Sequence, residues 1–414
     1  MKIRRPALAA AVLGTALLAT AVPAAAAPAF CDRACQEARE MEARNALPRT
    51  AFYDAPEPLP HRPAGTPIRT EPADDYVVDG RPLAATRILY HSRTSRGRDV
   101  AASGVVLVPP GTPPKGGWPV VVDAHGTSGV GRNCAPSLMR DIYHGDQMSR
   151  FVERGWAVVA PDYAGLGATG RHEFLNRRAA ANDVINAMRS AHAAIPGMSS
   201  RWVVWGHSQG GHAALAVAER QRVRAEPGYL GSVVTSPGAD LRAAIQHMST
   251  APGLGGFVAL VAAGAKASEP GLPIGRLLAA PALARLSFTR TDCLPVVSTV
   301  YGGLSDDRLV KPGALRERRF ARHLATNSVG HRPVGGPVLL LQGEADVVLP
   351  RRLTDRLAAD MCAAGSHVDY RTYPGLGHDT YPGQVVGIDD GAMPDILTWT
   401  AGRFAGKPAP SSCS

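Results

Sequence analysis

Trp205-Gly206-His207-Ser208-Gln209-Gly210-Gly211 sets a serine between two glycines, each two residues away. A short apolar run (202–205) precedes it and an alanine-rich run (212–220) follows. A strand, a serine and a helix in that order make a nucleophile elbow. The glycines let strand and helix backbones pass closely, and the turn lifts the hydroxyl above the sheet edge. The same turn aims the Gln209 amide at the space beside Oγ, where the oxyanion of an acyl transfer would form. An ordinary glycine-rich turn is the bland alternative, and the β-rich and helical flanks argue against it.

A serine hydroxyl is a weak nucleophile at neutral pH. It needs a base, and the base needs a carboxylate to orient it. On an elbow of this kind the partners follow in the order serine, carboxylate, histidine. Leu341-Gln342-Gly343-Glu344-Ala345-Asp346-Val347-Val348-Leu349-Pro350 runs from a strand end into a loop bearing two carboxylates. Asp346, deeper in the loop, is preferred to Glu344; a cap or turn carboxylate is the alternative for either. His378 stands in the glycine-bracketed segment Pro374-Gly375-Leu376-Gly377-His378-Asp379, where a base must hang to reach across the sheet edge. Asp379 is read as a surface or supporting group. His207 leaves the elbow in another direction, and His323 and His331 would have to fold back. The catalytic candidates are therefore Ser208, Asp346 and His378. A second oxyanion donor is expected from Asp123-Ala124-His125-Gly126-Thr127-Ser128-Gly129, where Gly126 permits a tight turn and the Thr127 N–H joins that of Gln209. A simple glycine turn is the competing reading there.

The elements that must position these groups alternate along the chain. Residues 87–91 and 104–109 read as paired strands around Ser95-Arg96-Gly97-Arg98. Further strands are expected at 120–124, 157–161, 202–205, 232–235, 338–341 and 368–373, with helices within 136–154 and at 178–194, 351–364 and 394–404. Short apolar runs alternating with amphipathic helices indicate an α/β chain with a mostly parallel, doubly wound sheet. Residues 237–336, rich in Ala, Gly, Leu and Pro, are too long for a loop. They read as an inserted helical cap or lid, with pieces near 241–248 and 276–286, over an apolar pocket; a structural excursion is the alternative. The organisation expected is a signal peptide over 1–27, an extended N-terminal arm over 28–80 with a helix near 32–44, core segments over 81–236 and 337–414, and the cap over 237–336.

Lys2, Arg4 and Arg5, an apolar stretch over 7–22 and small residues at 23–27 have the layout of a secretory leader. No later segment has the ~20 apolar residues a spanning helix needs, so an exported chain without a membrane span is expected. The formal net charge is +10, but the arginines are scattered and form no basic stripe, which excludes nucleic-acid binding as a reading. The six cysteines all follow the leader, and an even count in an exported chain argues for disulfides. There is no C-x-x-C and no Cys/His run at zinc spacing, so no metal site is expected. No cofactor is expected either, because a triad supplies nucleophile and acid–base chemistry by itself.

The chain resembles the secretory lipase family of α/β-hydrolases. The resemblance is carried by His125-Gly126-Thr127 leading to Cys134-Ala135-Pro136-Ser137, by Pro161-Asp162-Tyr163-Ala164-Gly165-Leu166-Gly167, by the elbow, by residues 343–350 and by Gly377-His378, over a span from Thr86 to Cys413. It implies the α/β-hydrolase fold with a helical cap between the sixth and seventh core strands. It also implies a triacylglycerol lipase or carboxylesterase using Ser208, Asp346 and His378. Two disulfides follow from it, Cys134–Cys293 and Cys362–Cys413, leaving Cys31–Cys35 as a local bridge. Small-molecule or lipid esters, met at times at a lipid–water interface, would be the substrates. Acyl transfer to an alcohol differs only in the second half-reaction. A peptidase or amidase on the same fold, or a binding protein on a retired scaffold, are the competing classes.

Overall fold

The computed structural model describes residues 30–413 apart from 381 and 382, so the expected leader lies outside the described residues. One nine-stranded sheet organises the chain, in the order β1-β2-β3-β5-β4-β6-β7-β8-β9. The strands are β1 (Pro67–Val78), β2 (Arg81–Arg93), β3 (Asp99–Leu107), β4 (Trp118–Ala124), β5 (Ala157–Pro161), β6 (Met198–His207), β7 (Tyr229–Thr235), β8 (Val338–Gly343) and β9 (Val368–Tyr373). β1, β2 and β3 form an antiparallel ribbon that joins β5 antiparallel, and from β5 to β9 every pairing is parallel.

The parallel strands are apolar throughout because both faces are covered. In β4, Val120 and Val122 pack into the cluster that holds Val184, Leu215 and Val217. Val121, between them, joins Phe151, Trp205, Ile396 and Trp399 on the other side. Helices α3 (Arg177–Ala194) and α4 (Gln209–Val223) supply the first layer; α2 (Gly145–Glu153) and the helix Met393–Phe404 supply the second. Side-chain caps fix where helices begin. The Asn176 side chain accepts from the amides of Arg178 and Ala179 at the start of α3.

The N-terminal region departs from the expected arm. Its helix, α1 (Arg33–Asn45), is present, but Pro67–Val78 is a sheet strand. Tyr76 and Val78 are buried and Ala73 is inside the core. Prolines at 67 and 72 are tolerated because β1 is an edge strand. α1 docks on the inserted region: the Glu42 carboxylate accepts from the amides of Cys293 and Val296 at the start of the helix Leu294–Gly302.

β7 and β8 are parallel neighbours, in register from Ser232 opposite Val338 to Thr235 opposite Leu341. The insertion between them is helical. It opens with α5 (Leu241–Thr250) and α6 (Gly255–Ser268) and closes with Arg318–Asn327. The expected helix at 276–286 shrinks to single turns, Ile274–Arg276 and Ala280–Leu283, because Pro281 cannot continue a helix running in from 276 and instead stands in the first turn of a new one. Disulfides join Cys31 to Cys35, Cys134 to Cys293 and Cys362 to Cys413. The second fastens the loop after β4 to the insertion; the third fastens the helix Arg351–Ala363 to the C-terminal tail. A mostly parallel sheet covered by helices on both faces, with an elbow after β6 and a helical insertion after β7, is the α/β-hydrolase fold.

Candidate active site

Ser208 sits between β6 and α4 with φ 55° and ψ −112°, a conformation that non-glycine residues rarely adopt. The surroundings hold it there: the Ser208 amide donates to Thr235 O (3.0 Å), and its carbonyl accepts from His212 N (3.0 Å) and Gly238 N (3.3 Å). Strain at a position so firmly fixed marks functional sites. The flanking glycines are required by contact. A Cβ on Gly210 would lie 1.6 Å from Ala124 O, and one on Gly206 would lie 2.2 Å from Gly210 O. Helix, elbow and β4 loop can approach this closely only without side chains.

Ser208, Asp346 and His378 follow the C-terminal ends of β6, β8 and β9, three strands on one half of the sheet. His378 Nδ1 donates to Asp346 Oδ2 at 2.8 Å, and both residues are buried. Asp346 is itself pinned. Its Oδ1 accepts from Val348 N (2.9 Å) and Leu349 N (2.7 Å), and Oδ2 also accepts from Gln342 Nε2 (3.1 Å). Glu344 instead pairs with Arg351 at the surface (2.8 Å). Burial alone would raise the Asp346 pKa, but the His378 ring and the Leu349 amide hold it below the usual carboxylate value. Burial pulls His378 down, yet Asp346, with help from Asp379 and Asp389, raises its pKa above the ordinary imidazole value. No hydrogen bond joins Ser208 to His378 in this structure, a contact that in unliganded hydrolases is often long and tightens with substrate.

The oxyanion candidates meet at one place. Thr127, Ser208 and Gln209 line a single cavity of about 30 Å³, roofed by α5 residues Leu241, Ala244, Ile245 and Met248 and by Phe257 and Val261 of α6. Gln209 is the first residue of α4, so its N–H lies outside the helix ladder and is free to serve an anion. The Gln209 side chain turns away to donate to His172 Nε2 (3.0 Å). Tyr143 O–H donates to Thr127 O (3.2 Å), fixing the loop after β4 from the other side.

Several further residues support the site without being among the catalytic or oxyanion candidates. Asp162, wholly buried, accepts from Ser137 N (2.8 Å), Ser137 Oγ (2.5 Å) and Ser103 Oγ (2.6 Å), tying the segment after the oxyanion loop to β3. His207 lies with its ring centroid 4.5 Å from that of His378, and its Nδ1 is 3.3 Å from Asp389 Oδ2. His144 Nδ1 donates to Asp123 Oδ1 (3.0 Å). His207, passed over as the base, is thus a buried neighbour of His378 engaged with a carboxylate of its own. His323 pairs with Glu269 and His331 with Asp360, both away from this cluster.

A family model described as secretory lipase matches residues 144–412. Lipase A of Candida antarctica is similar in structure, with a TM-score of 0.74 at 18% identity over 89% of each chain. A rice cell wall degrading esterase, LipA, from Xanthomonas oryzae gives a TM-score of 0.67 at 19% identity, over 84% of this chain and all of that one (100%). A putative hydrolase of Legionella pneumophila gives 0.62 at 16% identity, over 82% and 97%. No curated protein matches significantly in sequence.

Proposed function

Because this chain belongs to the secretory lipase family and is a carboxylic ester hydrolase, we propose that it cleaves esters through an acyl-enzyme on Ser208, with His378 as base and Asp346 as its orienting carboxylate. The observation that carries this reading is the Asp346–His378 bond, at 2.8 Å, at the same sheet edge as an elbow serine held in a strained conformation. Because Asp346 can only accept, it keeps the His378 proton on Nδ1 and leaves Nε2 as the acceptor for the Ser208 proton. As that proton leaves, Oγ attacks the ester carbonyl carbon. The negative charge that moves to the carbonyl oxygen is taken up by the amides of Gln209 and Thr127. His378 returns the proton to the departing alkoxide, and the C–O bond breaks. Water then repeats the sequence on the acyl-Ser208 ester and restores the serine.

Residues Leu241, Ile245, Met248, Phe257 and Val261 make the space next to Ser208 apolar, which fits the acyl chain of an acylglycerol or similar ester. The accessible room in that space is small, about 30 Å³. A long chain therefore requires α5 and α6 to move apart, a movement that contact with a lipid–water interface would favour. Among the described residues no helix is long and apolar enough to cross a membrane. The leader pattern in residues 1–27 and the three disulfides support export of the mature chain.

The test is hydrolysis of p-nitrophenyl esters from acetate to palmitate by wild type and Ser208→Ala, with fluorophosphonate labelling of both. Removing the nucleophile should lower kcat on the order of 10⁴- to 10⁶-fold and abolish the label. A Ser208→Ala protein that still cleaves esters at a tenth of the wild-type rate would remove Ser208 from the mechanism.

A further inference from the structure

Four buried side chains close on one another next to the elbow, and none of them takes a direct part in the ester chemistry above, though Asp389 acts on the charge of His378. They are Asp123 at the end of β4, His144 at the start of α2, His207 at the end of β6 and Asp389 in the helix Ile388–Gly391. One ring nitrogen each from His144 and His207 and one Asp389 oxygen lie within 4.8 Å of one another. Among the described residues this is the one group of three or more His, Cys, Asp or Glu so disposed. His207 Nδ1 and Asp389 Oδ2 are 3.3 Å apart, close to the edge of a tetrahedron with bonds of ~2.0–2.1 Å.

Two of the three side chains have the outer contacts that a metal ligand set needs. The His144 Nδ1–H donates to Asp123 at 3.0 Å, which fixes the tautomer and leaves Nε2 to coordinate; a carboxylate behind a ligating imidazole is the usual outer arrangement. The Asp389 carboxylate is oriented through its other oxygen, Oδ1, which accepts from Thr235 Oγ1 at 2.6 Å. His207 lacks such a contact: Nδ1 is the nitrogen beside Asp389, and Nε2 is buried with no hydrogen-bond partner. Among the described residues neither Asp123 nor Asp389 has an ion pair to Lys or Arg; each faces an imidazole. Two carboxylates so buried are costly unless strongly paired, and a dication supplies that charge. Two imidazoles and one carboxylate select a borderline ion.

We propose that His144, His207 and Asp389 bind one divalent ion of the zinc class. The ion links the start of α2, the strand that leads into Ser208, and the helix that follows the His378 loop. Its place is structural, and it touches neither Ser208 Oγ nor the ester.

The test uses the full mature chain, stripped with chelator and dialysed, then given Zn²⁺ or Co²⁺ and desalted. The expected result is about one equivalent retained, visible d–d absorption with Co²⁺, and a higher thermal midpoint, since an ion that binds only the native state stabilises it. His144→Gln and Asp389→Asn should lose the retained ion and the Co²⁺ spectrum. Wild-type protein that keeps a native circular-dichroism spectrum and retains no ion overturns the proposal, as does equal retention by both variants. Because the readout is metal content, this result stands apart from whether Ser208 cleaves esters.

Discussion

Replacing Asp346 by Asn tests the triad without emptying the site. The Asn carbonyl can still accept from Val348 N and Leu349 N, which now donate to Oδ1 at 2.9 and 2.7 Å. The turn before the helix Arg351–Ala363 is therefore retained. The change falls on the other oxygen. Oδ2 accepts from His378 Nδ1 (2.8 Å) and Gln342 Nε2 (3.1 Å), and an NH₂ in its place meets two donors. His378 can keep this contact only by accepting at Nδ1, which moves its proton to Nε2 and removes the acceptor that Ser208 needs. The same tautomer fault in a serine protease triad costs about 10⁴-fold in kcat, or about 5–6 kcal/mol of barrier. The assay is burst and steady-state hydrolysis of a short p-nitrophenyl ester, beside a thermal scan to show that the fold persists. Glu344→Gln is the control: its carboxylate bonds Arg351 at the surface, and its rate should stay within about 2-fold of wild type, since surface substitutions change little. An Asp346→Asn enzyme within 10-fold of wild type would refute the orienting role, and a large loss in Glu344→Gln would give that role to the other carboxylate.

Three further outcomes follow from packing and burial. Gly210→Ala places a methyl 1.6 Å from Ala124 O, so the β4 loop and α4 must part; we expect lost labelling of Ser208 and a thermal midpoint well below wild type, and a variant of unchanged activity would contradict the contact. His212, wholly buried, donates through Nε2 to Asn327 O (2.8 Å), and its pKa is lowered by burial to about 4. Its native pKa lies below the unfolded value of ~6.5, so the unfolded chain binds the extra proton and stability is lost as pH falls from 6.5 towards 4. The stability difference between wild type and His212→Gln should then change by about 1.4 kcal/mol per pH unit across that window, read by urea titrations at several pH values; a constant difference would mean that His212 is not the titrating group. Cys134–Cys293 closes a separation of 159 residues, so the double Cys→Ser variant should lose about 3–5 kcal/mol, seen as a lower thermal midpoint, while loss of Cys31–Cys35, separated by 4, should cost much less.

What could be read from the sequence is what is local in it. The elbow is legible because strand, serine and helix are contiguous, and because contacts such as Gly210 against Ala124 O admit one residue type. The parallel strands are legible because burial on both faces leaves continuous apolar runs, as at Val120–Val122. β1 was hidden because an edge strand is only half covered: its prolines and charges at Arg69, Glu71, Asp74 and Asp75 have the composition of an exposed arm. The pairing that makes it a strand, Val78 opposite Arg81 through Thr70 opposite Ile88, depends mostly on residues 81–86, the part of β2 outside the strand read at 87–91.

The cluster of Asp123, His144, His207 and Asp389 is harder still to see in the chain. Metal-binding spacings are legible when one helix or one turn supplies two ligands, because the period of the element fixes their distance. Here each ligand comes from the end of a different element, and the distances between them are set by sheet order. β4 and β6 are adjacent, so Asp123 and His207 stand on neighbouring strands: Asp123 is opposite Trp205 in register, and the next pair is Ala124 opposite Gly206. β7 then brings Thr235 opposite His207, and Thr235 holds Asp389. The same edge of the sheet carries Ser208 after β6, Thr127 after β4 and the Asp346 loop after β8, since in a parallel sheet the loops at the carboxyl edge converge. Catalytic order along the chain is constrained by the elbow and can be read; the neighbours that share the edge can be found only once the order of the strands is known.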